Sequence, residues 1–229
     1  MKSSFTIPIA IIAGGLIVAG AVYVSSYRSK VTGGNPALVR PVSASDHIFG
    51  NPAARVMIVE YSDFDCIPCK EFEVILRQVV ASEAASGSVA LVFRHFPLTE
   101  LHPNALALAK AAECAGEAGG NEAFWRFADA LFANQPVSPS GLGALAMQAR
   151  IPGSGADTDG NTFATCYASE SASKPLVERI MRDRQNALDM GAQGAPYTVI
   201  LRSGMAPIVM NGAYSYYAVK ELVNRALGK

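Results

Sequence analysis

The chain has 229 residues, half of them hydrophobic, enough for one well-cored domain with a terminal appendage and too apolar for a disordered chain. Lysine plus arginine and aspartate plus glutamate balance at 19 each. That balance removes the broad positive field that nucleic-acid binding requires, so nucleic acid is excluded as a partner.

After the short N-terminal segment 1–4, residues 5–24 (FTIPIAIIAGGLIVAGAVYV) form an uncharged run of the length a helix needs to cross a bilayer core of about 30 Å. The run reads as a transmembrane anchor or a signal sequence. Lys2 before it and the small residues at 19–21 suit a signal, whereas the length of the run and its continuation through Val24 suit an uncleaved anchor. Arg28, Lys30 and Arg40 follow, so charge does not dictate orientation. Four cysteines, an even number, fit an exported chain in an oxidising compartment.

Residues 25–45, rich in Ser, Gly and Pro, read as a tether leading to a domain at 46–229. ARVMIVEY (54–61) is a strand covered on both faces. Phe72, Ile75, Leu76, Val79 and Val80 then recur at helical spacing as far as Gly87, and SVALVFRHFPL (88–98) is a second strand, giving a βαβ unit with parallel strands. An all-helical stretch follows at about 103–190. YTVILRSG and APIVMNGAY form a hairpin, and YAVKELVNRALG is a closing helix. DTDGN at 157–161 has calcium-loop chemistry, but Thr162 stands in place of the loop glycine and Ala168 in place of the terminal glutamate, so it reads as a loop.

Cys66 and Cys69 fall where the first strand turns into the first helix. Unpaired N–H groups and the helix dipole stabilise a thiolate there, which makes Cys66 the nucleophile and Cys69, one turn on, the thiol that resolves a mixed disulfide. Half of a zinc site and an inert structural disulfide are the competing readings. The remaining candidates, His47, His95 and His102 with no second Cys-x-x-Cys, make a poor zinc set. Asp63 or Asp65 caps the helix in this reading, at the cost of opposing the thiolate. Glu60 is either a desolvated acid that exchanges a proton with Cys69 or a strand-end carboxylate in water. Pro196 precedes a strand, where a cis peptide brings an extended edge beside Cys66 and a trans turn does not.

DHIFGNPAARVMIVEYSDFDCIPC, FRHFPL, AFWRFADALF and GAPYTVI occur in the order and at roughly the spacings of the DsbA-like thiol-disulfide oxidoreductases of bacteria, which the chain resembles from about Asp46 to Lys229. The resemblance implies an α/β thioredoxin-like fold, β-α-β then β-β-α, with an all-helical insertion. It makes Cys66 the exposed nucleophile, Cys69 the resolving thiol, Glu60 the buried acid, Pro196 the cis-proline and Arg94 a possible partner of Glu60. Ile67 and Pro68 depart from the family's usual order, with proline second rather than first between the cysteines, and Ala195 replaces a common threonine. None of these side chains hydrogen-bonds a thiolate, which argues against a strongly oxidising pair. Cys114 and Cys166, in the insertion, read as a structural disulfide, with two buried free thiols as the alternative.

The expected protein is therefore a membrane-tethered, extracytoplasmic oxidoreductase that needs no cofactor or metal and introduces disulfides into cysteine-containing exported proteins. A membrane redox partner, quinone-linked by the resemblance, recycles the pair. Running the same pair as a reductase is the first alternative, and a non-catalytic binding or metal-carrier module is the second.

Overall fold

In the computed structural model, residues 34–155 and 162–229 are described. The stretch 5–24 and the loop 157–161 lie outside them. No helix among the described residues is long and apolar enough to cross a membrane.

Five strands form one sheet in the order β1-β3-β2-β4-β5. They are β1 (His47–Gly50), β2 (Val56–Ser62), β3 (Val89–His95), β4 (Tyr197–Arg202) and β5 (Ile208–Asn211). β2 and β3 run parallel with Val56 opposite Val89, as the βαβ pattern requires, and β4 pairs antiparallel with both β2 and β5. β1, antiparallel on the outer edge of β3, was not expected, because four residues are too few for a period of two to show. The compact unit begins at Asn35, inside the stretch read as tether, since Asn186 donates to the Leu38 carbonyl and Arg94 to those of Arg40 and Pro41.

α1 (Ile67–Ser82) lies between β2 and β3 in the chain and buries the stripe Cys69, Phe72, Glu73, Leu76, Val79 and Val80. Burial at this i, i+3, i+4 and i+7 spacing, worth roughly 1.5–3 kcal/mol for each large apolar side chain, is what holds the helix. The insertion comprises α2 (Ala105–Ala133), α3 (Leu142–Gln148), α4 (Phe163–Ala168) and α5 (Glu170–Asp189). α2 is two helical runs joined by a kink at Gly119 and Gly120, where Gly120 has φ 70° and a non-glycine residue would be strained. α6 (Tyr216–Leu227) closes the chain.

Strand alternation divides the core. Val56 and Ile58 of β2, Leu91 and Phe93 of β3 and Ile200 of β4 pack with α1, α2 and α6 on one face. Val59, Tyr61, Val92, Tyr197 and Val199 pack with Ala187 and Met190 on the other.

Candidate active site

The redox loop is built at the C-terminal end of β2. Phe64 anchors it, stacked on Phe93 at 4.8 Å and tilted against Phe132. Cys66 itself caps α1, with its Sγ accepting from the Cys69 N–H at 3.2 Å, a role the sequence reading gave to Asp63 or Asp65. The Asp63 carboxylate is occupied elsewhere, accepting from Asp65 N and Leu98 N at 2.8 Å each and pairing with His102 Nδ1 at 2.9 Å. Burial and the Asp63 charge push the Asp65 carboxyl up, with His102 opposing.

Cys66 and Cys69 are disulfide-bonded, with Cα atoms 5.3 Å apart. Expected as an exposed nucleophile, Cys66 is only 3% exposed and Cys69 is fully buried, whereas Ile67 beside them is 64% exposed. Cover comes from two sides. The Ala195–Pro196 peptide is cis, and the Ala195 carbonyl oxygen lies 3.8 Å from Cys66 Sγ. Pro196's carbonyl is taken by Gly212 N, so this segment meets the cysteine through Ala195. On the other side Gln135, from the loop after α2, donates through Nε2 to the carbonyls of Phe64 at 2.7 Å and Cys66 at 3.2 Å. Pro68 occupies the first turn of α1, where its missing N–H is no loss.

Glu60 is fully buried, on the face of β2 that α1 covers, and neither carboxyl oxygen has a protein hydrogen-bond partner. Burial, reinforced by the Glu73 charge and opposed by the nearby Ser62 hydroxyl and Arg77, pushes its carboxyl well above the usual range. Glu73 sits one turn beyond Cys69 on the same stripe and pairs with Arg77, whose guanidinium also reaches Asp129 at 2.7 Å and lies over the rings of Phe49 and Trp125.

Arg94 does not meet Glu60. β3 sets Arg94 opposite Tyr61 and Phe93 opposite Glu60, so the guanidinium projects from the face opposite Glu60. There it binds both Asp46 carboxylate oxygens at 2.8 and 3.2 Å, the Tyr61 hydroxyl at 2.9 Å, and the Arg40 and Pro41 carbonyls. Cys114 of α2 and Cys166 of α4 are disulfide-bonded, Cα atoms 5.6 Å apart, inside the insertion.

Gln135 and Glu73 escaped sequence reasoning. Gln135 reaches across about seventy residues of chain, and nothing local signals that reach. Glu73 was legible as an acid on the apolar stripe, four residues after Cys69.

Among the described residues no group of three or more His, Cys, Asp or Glu is arranged to hold a metal ion. His95 and His47 instead share Glu113 with Arg179, at 2.7 and 3.2 Å from its Oε1. Burial lowers His95 to about 4, with the Arg179 charge assisting and those of Asp183 and Asp63 opposing. Because the folded value lies below the unfolded one of about 6.5, the unfolded chain takes up the proton first, and stability is lost as pH falls from about 6.5 towards 4. Urea midpoints measured across that window are expected to decline with acid, and His95→Gln is expected to flatten the slope.

A family model described as Thioredoxin matches residues 43–200. A curated relative, Na(+)/H(+) antiporter NhaA 3 of Salinispora tropica, is 43% identical over 90 residues, 39% of this chain, and the chain spans only 13% of that protein's length. The probable disulfide bond formation protein D of Bacillus cereus is 25% identical over 187 residues, covering 79% of this chain and 80% of the relative. Among solved structures, Pseudomonas aeruginosa DsbA2 superposes with a TM-score of 0.63 at 26% identity, over 81% of this chain and 96% of that one. Bacillus subtilis BdbD gives 0.66 at 20% identity over 86% and 98%, a likeness of fold. With a cysteine pair at the start of the helix that follows β2, a helical insertion between β3 and β4 and these matches, the chain belongs to the DsbA-like branch of the thioredoxin family.

Proposed function

We propose that the protein is an extracytoplasmic thiol-disulfide oxidoreductase, held at the membrane by residues 5–24, that donates its Cys66–Cys69 disulfide to cysteines of exported proteins. The observation that carries this reading is the placing of Cys66 Sγ between the Cys69 N–H at the start of α1 and the Ala195 carbonyl. An incoming substrate thiolate attacks Cys66 Sγ, forming a mixed disulfide and expelling Cys69 as a thiolate, which takes a proton from Glu60. A second substrate thiolate attacks the substrate sulfur and releases the Cys66 thiolate, stabilised by the helix N-terminus. The substrate is oxidised by two electrons and the pair is left reduced, so a membrane redox partner must reoxidise it. Ala195 and Pro196 offer the backbone edge along which an extended substrate lies.

Ile67 and Pro68 bring no side-chain donor to Cys66, and this favours the reductase direction as the second reading. Equilibration of the protein in glutathione buffers, read by thiol alkylation and mass, separates the two. A potential around −120 mV supports donation of disulfides, and one around −270 mV supports delivery of electrons.

A further inference from the structure

Three buried side chains on the sheet face that α1 covers carry oxygens without a hydrogen-bond partner: Glu60, Ser62 and Thr198, at 0%, 1% and 0% exposure. Sheet register places them together. Glu60 and Ser62 are two apart on β2 and so share a face, and Thr198 of β4 is the direct cross-strand partner of Glu60. Ile58 and Ile200 are the next pair along this face and are packed in the apolar core.

Stability alone does not select these hydroxyls. Burying one without a partner costs about 1–3 kcal/mol, and valine at 198 or alanine at 62 would fill nearly the same space without that cost. The hydroxyls find a use in the other charge state of Glu60. A protonated carboxyl in an apolar setting needs little, whereas a carboxylate needs donors, and each hydroxyl can rotate to become one.

We propose that Ser62 and Thr198 are positioning residues for the Glu60 carboxyl, turning their O–H groups onto it when it ionises and so setting the pH at which Cys69 exchanges with a mixed disulfide on Cys66. The inference rests on the reading of Glu60 as the acid of the pair. Other charges facing Glu60 come from α1, where Glu73 opposes ionisation and Arg77 favours it, with Asp129 of α2 behind Arg77. Phe93 of β3 is apolar, and Val219 and Val223 of α6 add no charge to this side of the sheet. In the step concerned, Cys69–SH gives its proton to the Glu60 carboxylate, the Cys69 sulfur attacks Cys66 Sγ, and the leaving group departs as a thiolate.

The test loads Cys66 with glutathione in the full chain and follows glutathione release from about pH 5 to 9. The parent rate is expected to rise through a midpoint belonging to the Cys69–Glu60 pair. Removing donors to a carboxylate makes it harder to ionise, so Ser62→Ala, Thr198→Val and the double variant are expected to move that midpoint upward, by about one unit in the double variant, with release about tenfold slower below it. Thr198→Ser is expected to restore the parent midpoint. Thr198→Val is expected to be at least as resistant to urea as the parent, which separates the effect from structural damage. An unmoved midpoint in the double variant, alongside a changed profile in Glu60→Gln, overturns the role of the hydroxyls and leaves Glu60 in place. A parent-like profile in Glu60→Gln overturns Glu60 as the acid and the hydroxyl role with it.

Discussion

Cys66→Ser is expected to reduce disulfide exchange with a dithiol peptide by at least about a thousandfold, since an alkoxide is not available at neutral pH to replace the thiolate. Cys69→Ser is expected to behave differently: Cys66 retains the helix N-terminus and still reacts, but without the second thiol the mixed disulfide persists. Mass spectrometry after incubation with a cysteine peptide in its disulfide form distinguishes the two: the Cys66 thiolate of Cys69→Ser attacks that disulfide and keeps one peptide while the other leaves as a thiolate, and Cys66→Ser shows no adduct. Retention of turnover by Cys66→Ser would remove Cys66 as the nucleophile, whereas a parent without turnover whose affinity for the peptide is unchanged in Cys66→Ser would be a thioredoxin-fold binding module. The size of the effect follows from the geometry, because Cys66 Sγ is the sulfur that receives the Cys69 N–H and faces the Ala195 carbonyl.

Arg94→Ala is expected to cost about 3–5 kcal/mol of stability, the usual consequence of removing one partner from a buried ion pair. Arg94 is 1% exposed, and without it Asp46, the Tyr61 hydroxyl and the carbonyls of Arg40 and Pro41 lose donors together. The loss should appear as a lower urea midpoint and, ahead of global unfolding, as protease cutting within residues 35–46, which Arg94 fastens to the sheet. Exchange activity per folded molecule should be unchanged, because Arg94 projects from the face opposite Glu60. Loss of activity at full folding would place Arg94 in the reaction instead.

The contrast between Glu60 and Arg94 shows what the sequence could and could not reveal. The near-continuous apolar run before Cys66 and the helical stripe after it specify strand, turn and helix locally, and the spacing of the cysteines places one at the start of the helix and one a turn inside, although the cap itself was expected at Asp63 or Asp65. The helical insertion and closing hairpin were legible for the same reason. Which residue Arg94 meets depends on the register between β2 and β3, and slipping that register by one residue would carry Arg94 to the Glu60 face. Hydrophobic patterning constrains this register poorly, since β3 is buried along its whole length and shows no alternation. β1 was hidden by its brevity, and Gln135 and the Asp63–His102 pair by distance along the chain.

The redox loop is pinned from outside at both ends. Asp63 ties it to the segment 98–102, and Gln135 ties the carbonyls of Phe64 and Cys66 to the insertion. A span clamped in this way has little backbone freedom to use when the sulfur–sulfur bond opens or closes. The reorganisation that accompanies two-electron transfer then falls on light elements: a sulfur displaced, a proton moved, hydroxyls turned. The helical insertion thus acts as an abutment for the redox loop, and trimming it would alter how far the nuclei must move as electrons pass even where both cysteines remain.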